Sequence, residues 1–282
     1  MPRIAFQGEL GSYSHQASVE ALPDHEPLPC RTFEEALDAV REGRAERGMI
    51  AIENSTYGRV ADVHRLLPHS GLRIVGEAFV RVRIALMAPQ GTALGDVALV
   101  RAHLVLLPQA AAFLKAHGIE ARSAADSAGA AADLARLKTP GEGVLASELA
   151  ARHYGLDVLA RDIEDTEHNT TRFLVMARET EAPPAGSGPT KTTFVFNVRN
   201  IPAALYKAMG GFATNGVNMT KLESYMVDGA FTATQFYADI EGHPEDPPVA
   251  RALDELAYFT SRLEILGVYP ADPDHFEGGG LA

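Results

Sequence analysis

Over residues 1–178, short apolar β-rich runs alternate with Ala- and Leu-rich runs at helical spacing, and this alternation restricts the fold more than any other feature. Arg3–Gln7 reads as a strand, Ser14–Ala21 and Phe33–Glu42 as helices, Met49–Ile52 as a strand and Val60–Leu67 as a helix. Strands separated by helices predict a mostly parallel sheet with helices on both faces. Arg73–Pro89 is a long β-type stretch in which Val80, Val82, Ile84 and Leu86 alternate with Arg81, Arg83 and Ala85, long enough to cross between lobes. The alternation then restarts, with strands near Val97–Ala102 and Gly143–Ala146 and helices near Gln109–His117, Ser127–Leu137 and Glu148–His153. Asp157–Ile163 leads into a last strand at Arg172–Met176. A chain that leaves one α/β lobe (about 1–79 plus 164–178), builds a second (about 80–163) and returns predicts a cleft between them, where small ligands bind.

Glu179–Pro189 interrupts the pattern with Pro, Gly and small residues, and 179–190 reads as an interdomain linker. Beyond it the order is strand Thr192–Val198, helix Pro202–Thr214, strands Met219–Tyr225 and Phe231–Ile240, helix Val249–Phe259 and strand Arg262–Tyr269. That is the ferredoxin-like βαββαβ unit, over 191–270. Pro202 suits a first helical turn and Asn215-Gly216 a left-handed C-cap. The sheet edges of such a unit pair readily with a second copy, so a homodimer is expected. Residues 271–282, with three consecutive glycines, read as a flexible tail.

The formal charge of −12, without a basic run, argues against nucleic acid as a partner. No apolar run approaches the roughly 18 to 20 residues of a bilayer-spanning helix, so no membrane association is expected. Met1-Pro2-Arg3 leads directly into the first strand without a leader pattern, which predicts a cytoplasmic protein. The single cysteine, Cys30, follows Pro29 in what reads as a polar turn; it excludes an internal disulfide and a thiolate metal cluster. No histidine pair has metalloenzyme spacing, so no metal is expected. His15, His64, His69, His117 and His153 are expected at the surface, while His103, six residues before Gln109, could face the cleft. A Walker loop and a full dinucleotide fingerprint are missing, which predicts no nucleotide cofactor, and without a nucleophile elbow no serine nucleophile is expected.

Three clusters could carry chemistry. In His168-Asn169-Thr170-Thr171-Arg172-Phe173, an Arg at a sheet mouth can take a carboxylate through two parallel N–H···O bonds, and hydroxyls can donate to a leaving oxygen. The plainer reading pairs Arg172 with Asp162 or Asp165 at the surface and leaves the threonines capping a turn. Glu53-Asn54-Ser55-Thr56-Tyr57-Gly58-Arg59-Val60 follows a strand and precedes a helix, as an anion-binding helix start does. Gly8-Glu9-Leu10-Gly11-Ser12-Tyr13-Ser14 is a tight turn at the end of the first strand.

Taken together and in order, these motifs resemble the prephenate dehydratase family, over about residues 3 to 270. Gly8-x-x-Gly11-x-Tyr13-Ser14 is similar to the family's opening loop, and Glu53-Asn54-Ser55-x-x-Gly58-x-Val60 to its second motif. Asn169-x-Thr171-Arg172-Phe173 resembles its signature. Asn218-Met219-Thr220-Lys221-Leu222-Glu223-Ser224 resembles the regulatory Glu-Ser-Arg-Pro region, and Leu266-Gly267-x-Tyr269-Pro270 the usual ending. The implied fold is α/β: a two-lobed, type II periplasmic-binding-protein-like catalytic domain with a cleft, followed by a ferredoxin-like ACT regulatory domain. The implied reaction is decarboxylative dehydration of prephenate to phenylpyruvate, without metal or organic cofactor. Thr171 would be the catalytic donor to the departing oxygen, Arg172 the carboxylate clamp, and Phe173 the ring contact. Asn54, Ser55, Gly58 and Gln109 would complete the substrate site. L-Phenylalanine is implied as an allosteric effector at an ACT–ACT interface in a homodimer or homotetramer. Its site would comprise Ala203, Ala204, Leu205, Asn215, Gly216, Val217, Asn218, Met219, Thr220, Leu222, Glu223 and Ser224.

The sequence departs from the family at three places. Tyr225-Met226 stands where Arg-Pro is usual, Ala203-Ala204-Leu205 where Gly-Ala-Leu is usual, and Ala102 replaces a serine before His103. The first two leave phenylalanine inhibition less secure than catalysis. Two alternatives stay open: the same chemistry on the transaminated substrate, arogenate, and a non-catalytic binder of amino or organic acids, since a two-lobed cleft also serves solute-binding proteins.

Overall fold

The computed structural model describes residues 1–166, 168–199, 201–226 and 233–273. In chain order the elements are β1 (Arg3–Gln7), α1 (Tyr13–Ala21), β2 (Glu26–Cys30), α2 (Phe33–Arg41), β3 (Arg47–Asn54), β4 (Gly58–Arg59), α3 (Ala61–Leu66), β5 (Arg73–Arg81) and β6 (Ala85–Ala88). They continue with β7 (Leu99–His103), α4 (Ala111–His117), β8 (Glu120–Ala124), α5 (Ser127–Leu137), β9 (Glu142–Ala146), α6 (Glu148–Tyr154), β10 (Asp157–Ala160) and β11 (Thr170–Ala177). The last are β12 (Thr190–Val198), α7 (Ala204–Thr214), β13 (Met219–Met226), β14 (Ala233–Glu241), α8 (Pro247–Phe259) and β15 (Thr260–Pro270). The chain divides into two compact units, one of Met1–Val60 and Ala78–Phe173, the other of Ala61–Glu77 and Leu174–Ala282.

The first unit holds two sheets. In one, β1 lies between β2 and β3, parallel to both, and β11 neighbours β3. Ile4, Ala5 and Phe6 of β1 and Met49, Ile50 and Ile52 of β3 are fully buried, as expected of strands covered on both faces. β2 reads Glu-Pro-Leu-Pro-Cys and carries no strand signal in sequence. Its two prolines are tolerated because it is the outermost strand of its sheet, where missing N–H groups interrupt no inner ladder. Cys30 therefore lies in a strand rather than a polar turn; it is buried, and burial pushes its thiol up to about 11. The second sheet has the order β10-β6-β9-β7-β8. It is mixed: β6 runs antiparallel to β9 and β10, while β7 is parallel to β8 and β9. Side-chain alternation sends Ile84 and Leu86 into one cluster and Ala85 and Met87 into another, so both faces are packed.

In the second unit β12, α7, β13, β14, α8 and β15 follow in the βαββαβ order, with sheet order β13-β14-β12-β15 and antiparallel neighbours throughout. Phe194 and Phe196 of β12 pack with Ala208 and Phe212 of α7 and Leu256 of α8. The alternate positions Lys191 and Thr193 are buried as well. Lys191 Nζ meets Glu77 at 3.2 Å, and Thr193 Oγ1 lies 2.6 Å from Asp239 and 2.8 Å from the Tyr269 hydroxyl. Helix α7 starts at Ala204, so Pro202 precedes the helix rather than occupying its first turn. Gly216 (φ +67°) follows α7 in the left-handed conformation expected there, with Val217 N–H donating to Phe212 O at 2.9 Å.

Two histidines expected at the surface are buried. His15 accepts the Gly11 backbone N–H at Nδ1 (2.9 Å), and burial, reinforced by His153, lowers its pKa. His64 of α3 packs against Tyr225 and Tyr237, and its Nδ1 hydrogen-bonds the Tyr225 hydroxyl. Residues 274–282 of the expected tail, and Phe231 and Thr232 at the start of an expected strand, lie outside the described residues. Among the described residues no helix is long and apolar enough to cross a membrane.

Candidate active site

Within the first unit a cavity of about 260 Å³ opens among the C-terminal ends of β1, β7 and β9 and the starts of α1, α5 and α6. Gln7, Gly8, Gly11–Ser14, Ala51, Thr171 and Phe173 line it from the first sheet; His103, Leu106, Ala125–Ala128, Ala146 and Ser147 line it from the second. Ser12, Asp126 and Ser147 are the N-caps of the three helices, each accepting a backbone N–H from the first turn. The turn after β1 is tied down by three bonds: Ser147 Oγ donates to Gly11 O (2.6 Å), the Tyr154 hydroxyl to Leu10 O (2.8 Å) and the Tyr13 hydroxyl to Arg83 O (2.8 Å). Burial, with Glu164 nearby, raises the Tyr13 pKa, so that hydroxyl stays protonated. Gly11 has φ +89°, and a Cβ there would fall 2.6 Å from Ala150 Cα, so only glycine fits.

Thr171 and Phe173 sit at alternate positions of β11 and both face the cavity. A chain of side-chain amides fixes the threonine. Asn54 Oδ1 accepts the backbone N–H groups of Thr56 and Tyr57, each at 2.9 Å, which orients the amide. Its Nδ2 then donates to Asn169 Oδ1 (2.7 Å) and Thr171 Oγ1 (3.0 Å). Asn169 passes the direction on to Gln109 Oε1, and Gln109 Nε2 ends the chain on Val105 O (2.7 Å). A hydroxyl has one donor and two acceptor sites. Since Asn54 occupies an acceptor site, and no described residue takes the Thr171 O–H, that hydrogen remains available to the cavity.

Arg172 lies between the two cavity-facing residues and does not line the cavity. Its side chain is 5% exposed and Nη1 donates to Glu53 at 2.8 Å, a different partner from the Asp162 or Asp165 of the plainer surface reading. Asp162 pairs instead with Arg83 at 3.2 Å. Asn54 and Gln109 are members of the amide chain and are not among the residues lining the cavity. Ser55 is exposed and bridges strands: its Oγ accepts Thr170 N–H (2.9 Å) and donates to His168 O (3.3 Å). Gly58 is exposed in β4 with φ +78°. Sequence reasoning gave no role to Asn169, 1% exposed at the centre of the chain, nor to the capping residues Ser12, Asp126 and Ser147. The helix-capping pattern at each strand end was the available signal. Among the described residues no group of three or more His, Cys, Asp or Glu could hold a metal ion.

The expected effector residues all fall in the second unit. Ala203 adopts φ +62° before α7, Ala204 is buried and Leu205 packs on the sheet. Asn215 Nδ2 donates to Gly211 O (2.9 Å) and Glu255 (3.1 Å), and its Oδ1 accepts from Arg251 (2.8 Å). Asn218 O accepts Glu241 N–H, and Met219, Thr220, Leu222, Glu223 and Ser224 lie along β13, with Leu222 exposed.

A family model described as prephenate dehydratase matches residues 4–181. A bifunctional N-acyl-homoserine lactone acylase/prephenate dehydratase of Komagataeibacter europaeus is 50% identical, covering 96% of each chain. Arogenate dehydratase 2 of Petunia hybrida is 37% identical over 96% of this chain and 72% of its own. Among solved structures, a quorum-quenching acylase superposes with a TM-score of 0.91 at 49% identity, covering 96% of this chain and 99% of the other. The prephenate dehydratase of Arthrobacter aurescens in complex with L-Phe does so at 0.86 and 29% identity, covering 95% and 89%.

Proposed function

From the chain's membership in the prephenate dehydratase family, whose enzymes are hydro-lyases, we propose that it carries out decarboxylative dehydration of a prephenate-type cyclohexadienyl acid. The ring C–CO2 bond breaks and its electron pair moves through the diene. The C–O bond at the far ring carbon then breaks with its pair leaving on oxygen, and that oxygen takes up one proton. The products are CO2, water and the aromatic phenylpyruvate. Aromatisation drives the reaction, so the protein must position the ring and assist a poor leaving group.

The observation that carries the reading is the Thr171 hydroxyl, held as an acceptor by Asn54 with its hydrogen available to the cavity. Thr171 donates to the departing oxygen; Phe173, two residues along the strand, packs against the ring; Asn54, Asn169 and Gln109 hold the threonine's rotamer. Arg172 acts on the site through Glu53, the residue before Asn54, and so positions rather than clamps. The test is turnover of purified protein on prephenate with product identification. Phenylpyruvate formation that falls in Thr171→Val and survives in Thr171→Ser is expected; wild-type turnover in Thr171→Val overturns the donor role.

We also propose L-phenylalanine as effector at Ala203–Leu205, Asn215–Thr220 and Leu222–Ser224, in a homo-oligomer paired through β13 edges. Support comes from the Arthrobacter aurescens relative, solved in complex with L-Phe. Suppression of turnover by phenylalanine tests it.

A further inference from the structure

The cavity is nearly devoid of charge. Among its described lining side chains neither lysine nor arginine is present, Arg172 is held by Glu53, and the one formal charge is the Asp126 carboxylate. His103 lines the cavity too, with its Nδ1 accepting the Val105 backbone N–H (3.3 Å). Half-buried Asp126 caps α5 through Oδ1, which accepts Gly129 N–H at 2.8 Å. Capping needs no charge here: Ser12 and Ser147 cap α1 and α6 beside the same cavity with neutral hydroxyls. The carboxylate thus adds a negative charge that the helix start does not require, in a place the substrate must enter.

The two candidate substrates differ at one group. Both carry a ring carboxylate and a side-chain carboxylate, so only the α-substituent of the side chain separates them. In one the side chain bears a keto oxygen, so the molecule enters as a dianion; in the other it bears an ammonium. A dianion meets only like charge at Asp126, whereas an ammonium offers three donors to it. We propose that Asp126 is a specificity-determining residue that favours the α-amino substrate, arogenate, over the α-keto substrate, prephenate. This assignment rests on the dehydratase reading above.

The test compares kcat/KM for the two acids in the wild type, Asp126→Asn and Asp126→Ser. Both replacements retain a capping side chain, so α5 keeps its N-terminus, and thermal midpoints check that it does. The expected result is an arogenate-to-prephenate ratio that drops roughly tenfold in both variants, with KM for arogenate rising and KM for prephenate falling. A ratio that stays at the wild-type value in both overturns the role of Asp126 while the dehydratase reading stands. A wild-type protein that turns over neither acid overturns the dehydratase reading and this one with it.

Discussion

The two units spend their buried polar groups in opposite ways. In the first, Asn54, Asn169 and Gln109 are neutral amides running in one donor direction from the backbone N–H groups of Thr56 and Tyr57 to the carbonyl of Val105, with the Thr171 hydroxyl as a side branch. In the second, Lys191 and Glu77 form an ion pair with both side chains fully buried, and the Thr193 hydroxyl bonds both Asp239 and the Tyr269 hydroxyl. A network that satisfies itself holds a core in one arrangement, whereas one that ends on an available donor can act on a ligand. Neutral amides suit the second use because they orient a hydroxyl without imposing a field that would repel an anionic substrate.

Breaking the branch gives the largest effect. Thr171→Val removes the donor and keeps the shape, and steady-state kinetics are expected to show kcat lower by about 10² to 10⁴ with KM little changed. A rise in KM with kcat unchanged would instead make Thr171 a ground-state contact. On the other side of the comparison, Lys191→Met removes the buried cation that meets Glu77 and is expected to cost about 3–5 kcal/mol in denaturant unfolding. Adding Glu77→Leu to it should recover most of that loss, since the apolar pair carries no uncompensated charge. A single variant as stable as the wild type would show that the Lys191–Glu77 pair does not hold this core.

A smaller effect links the two behaviours through pH. His15 stacks on Phe6, meets His153 edge-on and accepts the Gly11 N–H, so it is neutral in the fold with its pKa lowered by burial and by His153. The unfolded chain then binds a proton more readily, and the contribution of His15 is fully present above its ordinary value of about 6.5. Stability falls as the pH drops from there toward the lowered value, by at most one proton's worth, about 1.4 kcal/mol per pH unit. Urea midpoints between pH 7 and pH 5 for wild type and His15→Gln should diverge in that direction; parallel curves would remove His15 from the acid response.

What was legible in the sequence follows from where the physics is local. The βαββαβ unit and α5 were readable because their apolar period and caps lie in contiguous residues; Ser127–Leu137 is the helix the spacing predicts. β2 was not, because its two prolines are tolerated only at a sheet edge, a property of its neighbours. Thr171 and Phe173, at alternate positions of one strand, line the cavity together, whereas Arg172 between them, which the motif placed in the same site, does not line it. The acceptance of Arg172 by Glu53 and the place of Asn169 depend on contacts 119 and 60 residues apart in sequence, which no local pattern encodes.

The smallest effect concerns the second unit and one of its departures from the family pattern. Ala203 holds φ +62° at the start of α7, where glycine is usual in the family and where a Cβ costs about 1–2 kcal/mol. Ala203→Gly removes that strain, but glycine also gives the unfolded chain more freedom, which returns about 0.5–1 kcal/mol. The net expectation is a gain of about 0.5–1 kcal/mol in unfolding free energy. Because Ala203 also borders the proposed effector site, the same variant separates two consequences of the departure. A higher unfolding midpoint with unchanged phenylalanine sensitivity would make the alanine a matter of backbone strain alone. A midpoint that does not rise would mean the left-handed turn relaxes when the Cβ is present, and that the strain assigned to it is not stored in the folded protein.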